Sequence, residues 1–109
     1  MSGDPAVAAG AWLARRIRDA VRRRGEALIA VSGGSTAPPL FRALLDHDVA
    51  WDRTTIWQVD ERVAPDGDPG RNAGQLATLP GRVRLMPVTV RDLAAGARRY
   101  GAGLPDRFD

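Results

Sequence analysis

Ala27-Leu28-Ile29-Ala30-Val31-Ser32-Gly33-Gly34-Ser35-Thr36 runs from five consecutive apolar residues straight into small polar ones, and its reading decides the fold. Apolar residues without polar alternation suit a strand covered on both faces, as in a parallel sheet flanked by helices. Gly33 and Gly34 then predict a tight turn, since glycine adopts backbone angles that a Cβ resists and lets main-chain N–H groups approach a ligand closely. The turn opens a second helix. Ser35 or Thr36 is its expected N-cap, Pro38 and Pro39 fit a first turn whose N–H groups have no helical partner, and Leu40, Phe41, Leu44 and Leu45 recur at helical spacing. Free N–H groups and the positive end of the helix dipole would meet beyond the strand's carboxyl end, an arrangement that suits phosphate. Strand, Gly-Gly turn and helix is also a common connection that binds nothing, so the turn alone leaves both readings open. Two nucleotide motifs are excluded. The P-loop needs a Lys, and the chain has none; the dinucleotide fingerprint needs a third glycine where Ala37, Pro38 and Pro39 stand.

Upstream, residues 6–24 read as an amphipathic helix with Ala9, Leu13, Ile17, Ala20 and Val21 on one face, Trp12 at its margin and Gly25 as the stop. Its other face carries Arg15, Arg16, Arg18, Arg22, Arg23 and Arg24. These arginines account for much of the formal charge of +3 and the pI near 10.9. No aromatic residues interleave them and no nucleic-acid motif is present, so they read as a solvated face and no nucleic-acid partner is expected. The 109 residues match one small domain, 1–109, with a thin core. Without cysteine there is neither a disulfide nor a thiolate zinc site. No signal-peptide-like or membrane-length apolar run is found, so a cytoplasmic location and no membrane partner are expected.

Downstream, the second helix spans about residues 38–46, and His47 at its carboxyl end suits the dipole there in a structural role. Residues 48–53 connect it, with Trp51 packed beneath, to a second strand at 54–59, rich in β-branched and aromatic residues. Asp60-Glu61-Arg62 follows, then the turn-rich Ala64-Pro65-Asp66-Gly67-Asp68-Pro69-Gly70, which predicts an irregular loop. Residues 72–79 predict a short helix, 83–88 a third strand with Met86-Pro87 near its end, and 92–100 a helix carrying Leu93, Ala97 and Tyr100. Helices alternating with strands predict an α/β fold: an open, mostly parallel, Rossmann-like sheet with flanking helices and right-handed crossovers.

In such a sheet ligands bind outside the carboxyl ends of the strands, where both conspicuous polar segments fall. If the first two strands are neighbours, a spacing of about 5 Å brings Asp60 and Arg62 to the glycine turn. A carboxylate beside a bound anion could orient a hydroxyl or water or move a proton, and a guanidinium could bind phosphate or sugar oxygens. The bland alternative for Asp60, Glu61 and Arg62 is a charged loop with a local ion pair. Asp60, Glu61, Asp66 and Asp68 match no calcium loop, and no metal is expected.

Ser32-Gly33-Gly34-Ser35-Thr36, then Trp57 and Asp60-Glu61-Arg62 with Pro65 and Asn72 downstream, resemble the N-terminal half of the 6-phosphogluconolactonase family, which is similar in fold to glucosamine-6-phosphate deaminase. Arg62 favours the lactonase, because the deaminases have Asp-Glu-Tyr at the corresponding place. The resemblance implies hydrolysis of 6-phospho-D-glucono-1,5-lactone in the oxidative pentose phosphate pathway, with no metal or organic cofactor. Ser32, Gly33, Gly34, Ser35 and Thr36 would hold the phosphate of this phosphorylated sugar lactone, Arg62 would contact phosphate or sugar oxygens, and Asp60 would position substrate or water as the catalytic residue of this half. Asn72 belongs to the binding set, although Arg71 stands where the family has Ser; Ala37 likewise stands where the family has Pro.

The resemblance further implies a following strand and a Gly-x-x-x-Asp-Gly-His segment whose histidine is the general base. The chain reaches Phe108-Asp109 where that strand is expected, so the fold is expected to be incomplete and the chain to bind phosphate without turnover. The open sheet edge predicts marginal stability. A deaminase- or isomerase-like enzyme and a non-catalytic phosphosugar-binding module are the alternatives.

Overall fold

A computed structural model describes residues 4–109. Its elements are α1 (Pro5–Arg24), β1 (Ala27–Val31), α2 (Ala37–Leu45), a 3₁₀ turn (Trp51–Arg53), β2 (Thr54–Gln58), α3 (Ala73–Leu76), β3 (Arg82–Arg84) and α4 (Leu93–Ala102). The strands form one parallel sheet in the order β1-β2-β3, with Val31 opposite Gln58 and Trp57 opposite Arg84. This is the expected α/β alternation.

α1 begins where Asp4, extended at ψ 108°, accepts the Ala6 N–H, and it ends at Gly25, whose left-handed φ of 84° glycine adopts without the steric cost of a Cβ. The buried stripe is Gly10, Ala14, Ile17 and Ala20, one residue round from the expected face: Ala9 is exposed and Trp12 stacks over Arg16 in solvent. The small side chains explain the shift. A Cβ on Gly10 would lie 2.8 Å from Ala43 Cβ, so α1 crosses α2 almost backbone to backbone, which a stripe of larger residues would forbid.

Ile17, Ala20, Ala27, Ile29, Val31, Phe41, Leu44, Ile56, Leu76 and Leu79 make one core beneath α1 and α2. β1 alternates between buried and half-buried residues, whereas all five residues of β2 are buried, as befits the central strand. Trp57 lies outside that cluster and meets Phe108 edge-on, with ring centroids 5.5 Å apart. Cover on both faces is thus complete for β2 and partial for β1. On the outer edge of β1, Asp109 N–H donates to the Leu28 carbonyl and the Asp109 carboxylate accepts the Leu28 N–H and Arg24.

Trp51 packs against the core as expected. β2 stops one residue early, at Gln58, although Val59 N–H still bonds to Val31. β3 starts one residue early, at Arg82, and keeps only Val83 and Arg84 of the expected residues. Beyond Arg84 the chain turns away, because Met86 N–H is captured by the Gln58 side chain at 2.6 Å and Pro87 can donate nothing. The helix expected over 72–79 is a single turn followed by bends, and α4 is capped by Asp92 and tied to β2 by Tyr100 Oη, which donates to the Gln58 carbonyl at 2.8 Å.

Candidate functional site

β1 and β2 are neighbours, so Ser32–Thr36 and Asp60–Arg62 leave adjacent strand ends side by side. The two glycines of the turn serve different needs. Gly34 has φ 102° with nothing within 4 Å of where a Cβ would stand, so its requirement is conformational. Gly33 is required by space: a Cβ there would lie 2.5 Å from both Asn72 Cγ and Gln75 Oε1.

The turn differs from expectation in two respects. Thr36 stands at the N-cap of α2 with helical angles (φ −86°, ψ −15°), and its side chain makes no capping bond, nor does Ser35 supply one. A hydroxyl reaches the next N–H groups from an extended residue, the geometry that Asp4 and Asp92 have and Thr36 lacks. The Gly34 N–H is also not free, for it donates to Gln75 Oε1 at 2.9 Å. Among the described residues, the Ser35 and Thr36 N–H groups have no partner, and Ser32, Ser35 and Thr36 are exposed.

Asp60 is exposed at the end of β2, and its carboxylate and carbonyl both accept from Asn72 Nδ2 at 3.3 Å. Asn72 is buried between Asp60 and Gly33, so the turn, Asn72 and Asp60 come together. Arg62 is exposed beyond them, and its guanidinium makes no hydrogen bond among the described residues. His47 follows α2 at the far end from the turn, about 13 Å of helix away.

Glu61 is neither a ligand-facing acid nor part of a loose surface pair. Its side chain is wholly buried, with Oε1 accepting from Arg62 N–H (2.8 Å) and Asn72 N–H (2.6 Å) and Oε2 from Gln58 Nε2 and Ala73 N–H (both 2.9 Å). Arg71 Nε stands 3.0 Å from Oε2 without hydrogen-bond alignment, a charge contact. Burial pushes the carboxyl pKa up, but the Asn72 N–H, Gln58, the Arg62 N–H and Arg71 outweigh it and hold the pKa at about 2. Arg71 also binds Asp66 and the Ala64 carbonyl, closing the irregular loop. The arginine that stands where serine was expected is therefore the loop's tie. Glu61 and Asp66 are so engaged, and the described residues contain no group of three or more His, Cys, Asp or Glu placed to hold a metal ion.

Sequence reasoning missed this buried anchor and Gln75. Glu61 and Arg71 are ten positions apart and gave no periodic signal. Gln75 showed only as one polar residue in a short helix.

A model of the family "Glucosamine-6-phosphate isomerases/6-phosphogluconolactonase" matches residues 3–109. The chain belongs to this family. It is 37% identical over 102 residues to a 6-phosphogluconolactonase of Streptomyces coelicolor, covering 89% of this chain and 39% of that one. It is 43% identical over 72 residues to a 6-phosphogluconolactonase of Mesorhizobium japonicum, covering 66% of this chain and 30% of that one. The crystal structure of a 6-phosphogluconolactonase from Shewanella baltica superposes with a TM-score of 0.84 at 25% identity, covering 98% of this chain and 52% of the other. The chain thus spans about half of that structure and less of the two sequence relatives. No helix among the described residues is long and apolar enough to cross a membrane.

Proposed function

We propose that this chain supplies the phosphosugar-binding part of a 6-phosphogluconolactonase acting on 6-phospho-D-glucono-1,5-lactone. One observation carries the reading: the glycine turn, Asn72 and Asp60 are in contact at the carboxyl ends of two adjacent parallel strands. Kinship with the lactonases adds to it.

The substrate's phosphate lies in the turn, on the unpartnered Ser35 and Thr36 N–H groups, the Ser32, Ser35 and Thr36 hydroxyls and the positive end of α2. Gly33 and Gly34 keep the backbone close and correctly bent. Arg62, exposed and uncommitted, adds charge to the phosphate or sugar oxygens. Asp60 faces the ring and orients substrate or the attacking water, its direction held by Asn72. Phosphate is remote from the reacting carbonyl, so its binding energy serves to orient the lactone. The proton of the attacking water needs a general base, and His47 stands at the wrong end of α2 to be it. Residues 1–109 form a single partial α/β domain in this reading, the phosphosugar-binding half of a lactonase domain. Arg62 is also the residue that favours the lactone over an amino-sugar phosphate.

The test is thermal unfolding with and without millimolar 6-phosphogluconate. A ligand of the folded state at 100 times its Kd adds about 2.7 kcal/mol. The expected result is an upward shift that Arg62→Ala reduces and Gly34→Val abolishes. A cooperative transition that 6-phosphogluconate does not move would refute the proposed phosphate site.

A further inference from the structure

The carboxamide of Gln75 reaches across 41 positions of sequence to a single residue of the glycine turn. It accepts the Gly34 N–H on Oε1 at 2.9 Å and donates from Nε2 to the Gly34 carbonyl at 3.1 Å. Both ends of one amide are therefore spent on both ends of one backbone unit, as a neighbouring strand would do. The same carbonyl accepts the Ala37 N–H at 3.2 Å, which begins α2. Gly34 sits at φ 102° with nothing within 4 Å of where a Cβ would stand, and the side chain of Gln75 bonds both its N–H and its carbonyl.

We infer that Gln75 is the positioning residue of the phosphate-binding turn: it withdraws the Gly34 N–H and aims those of Ser35 and Thr36 at the anion. The inference rests on the phosphosugar reading above and deepens it. Asn72 and Gln75 lie three positions apart, and both crowd Gly33, so one short segment touches Asp60 through its first residue and the turn through its fourth. Anchored by Glu61 at the Asn72 and Ala73 N–H groups, this segment sets the distance between the anion and the carboxylate. Asparagine is a methylene too short to make both bonds. Glutamate could accept the N–H but would face the Gly34 carbonyl with a second acceptor and put a charge beside the phosphate.

Gln75→Met keeps length and volume while removing both hydrogen bonds. Binding of 6-phosphogluconate, read from the Ser35 and Thr36 amide signals by NMR, is expected to weaken about tenfold or more in this variant. Gln75→Glu weakens it further, and the added loss shrinks as salt rises from about 0.02 M to about 0.5 M, because only it is a charge effect. Wild-type affinity in folded Gln75→Met would overturn the inference and leave the phosphosugar reading standing. A wild-type protein that binds no 6-phosphogluconate would overturn that reading and the inference with it. Should Gln75→Met not fold, amide exchange at Gly34 in the wild-type protein decides: protection supports the inference, and exchange as fast as in an unstructured peptide overturns it.

Discussion

Replacing Glu61 by Gln keeps the shape of the buried side chain and removes its charge. The carboxylate receives four hydrogen bonds, two on each oxygen, and stands 3.0 Å from the Arg71 guanidinium. In the variant one oxygen becomes an NH₂ group facing two donors, so two bonds are lost and a guanidinium is left beside a neutral amide. Removing one member of a buried pair costs about 3–5 kcal/mol. The lowered pKa agrees in direction, since the folded protein favours the ionised carboxylate in spite of its burial. The folded pKa lies below the unfolded value, so this stability is full above pH 4.5 and is lost as pH falls towards 2. Urea unfolding at neutral pH should show Glu61→Gln less stable by about 3 kcal/mol, with the gap to wild type closing between pH 4.5 and 2. A neutral-pH difference under about 1 kcal/mol, or a gap independent of pH, would show that the carboxylate does not anchor the loop.

Four further substitutions separate packing, conformation and hydrogen bonding. Gly33→Ala should displace Asn72 and Gln75, destabilising the fold by about 1–3 kcal/mol and weakening 6-phosphogluconate binding; Gly34→Ala meets no atom and should cost only about 1 kcal/mol of backbone strain. Chemical denaturation of the two variants in parallel checks the order, and equal effects would contradict it. Gly10→Ala, favourable by about 1 kcal/mol in an isolated helix, should be destabilising here because its Cβ would meet Ala43; a rise in Tm would refute the close α1–α2 crossing. Tyr100→Phe should cost about 1 kcal/mol through the lost bond to Gln58, seen as earlier urea unfolding, with 6-phosphogluconate affinity unchanged.

Much of the architecture was legible in local pattern. An uninterrupted apolar pentad, a Gly-Gly turn and proline in the first helical turn act within a few residues, so β1, the turn and α2 could be read before any packing was known. The juxtaposition of Asp60 with the turn could be anticipated as well, because parallel neighbours bring their carboxyl ends together whatever the intervening sequence. Edges were less legible. β3 shortens because the Gln58 side chain takes the Met86 N–H, a competition between segments 28 positions apart.

The sequence by itself therefore determined the α/β class, the order of the elements, the family and the two segments that meet at the strand ends, all properties carried by local periodicity or motif. Only the tertiary structure decided which polar groups are spent on the protein and which are free. Glu61, flanked by Asp60 and Arg62, is buried among four N–H donors while both neighbours are exposed; the Gly34 N–H belongs to Gln75 while those of Ser35 and Thr36 are unpartnered. The reason is physical. A hydrogen bond or buried ion pair depends on angles and distances of a few ångströms between residues that here lie ten and forty-one positions apart, and no local pattern encodes that geometry.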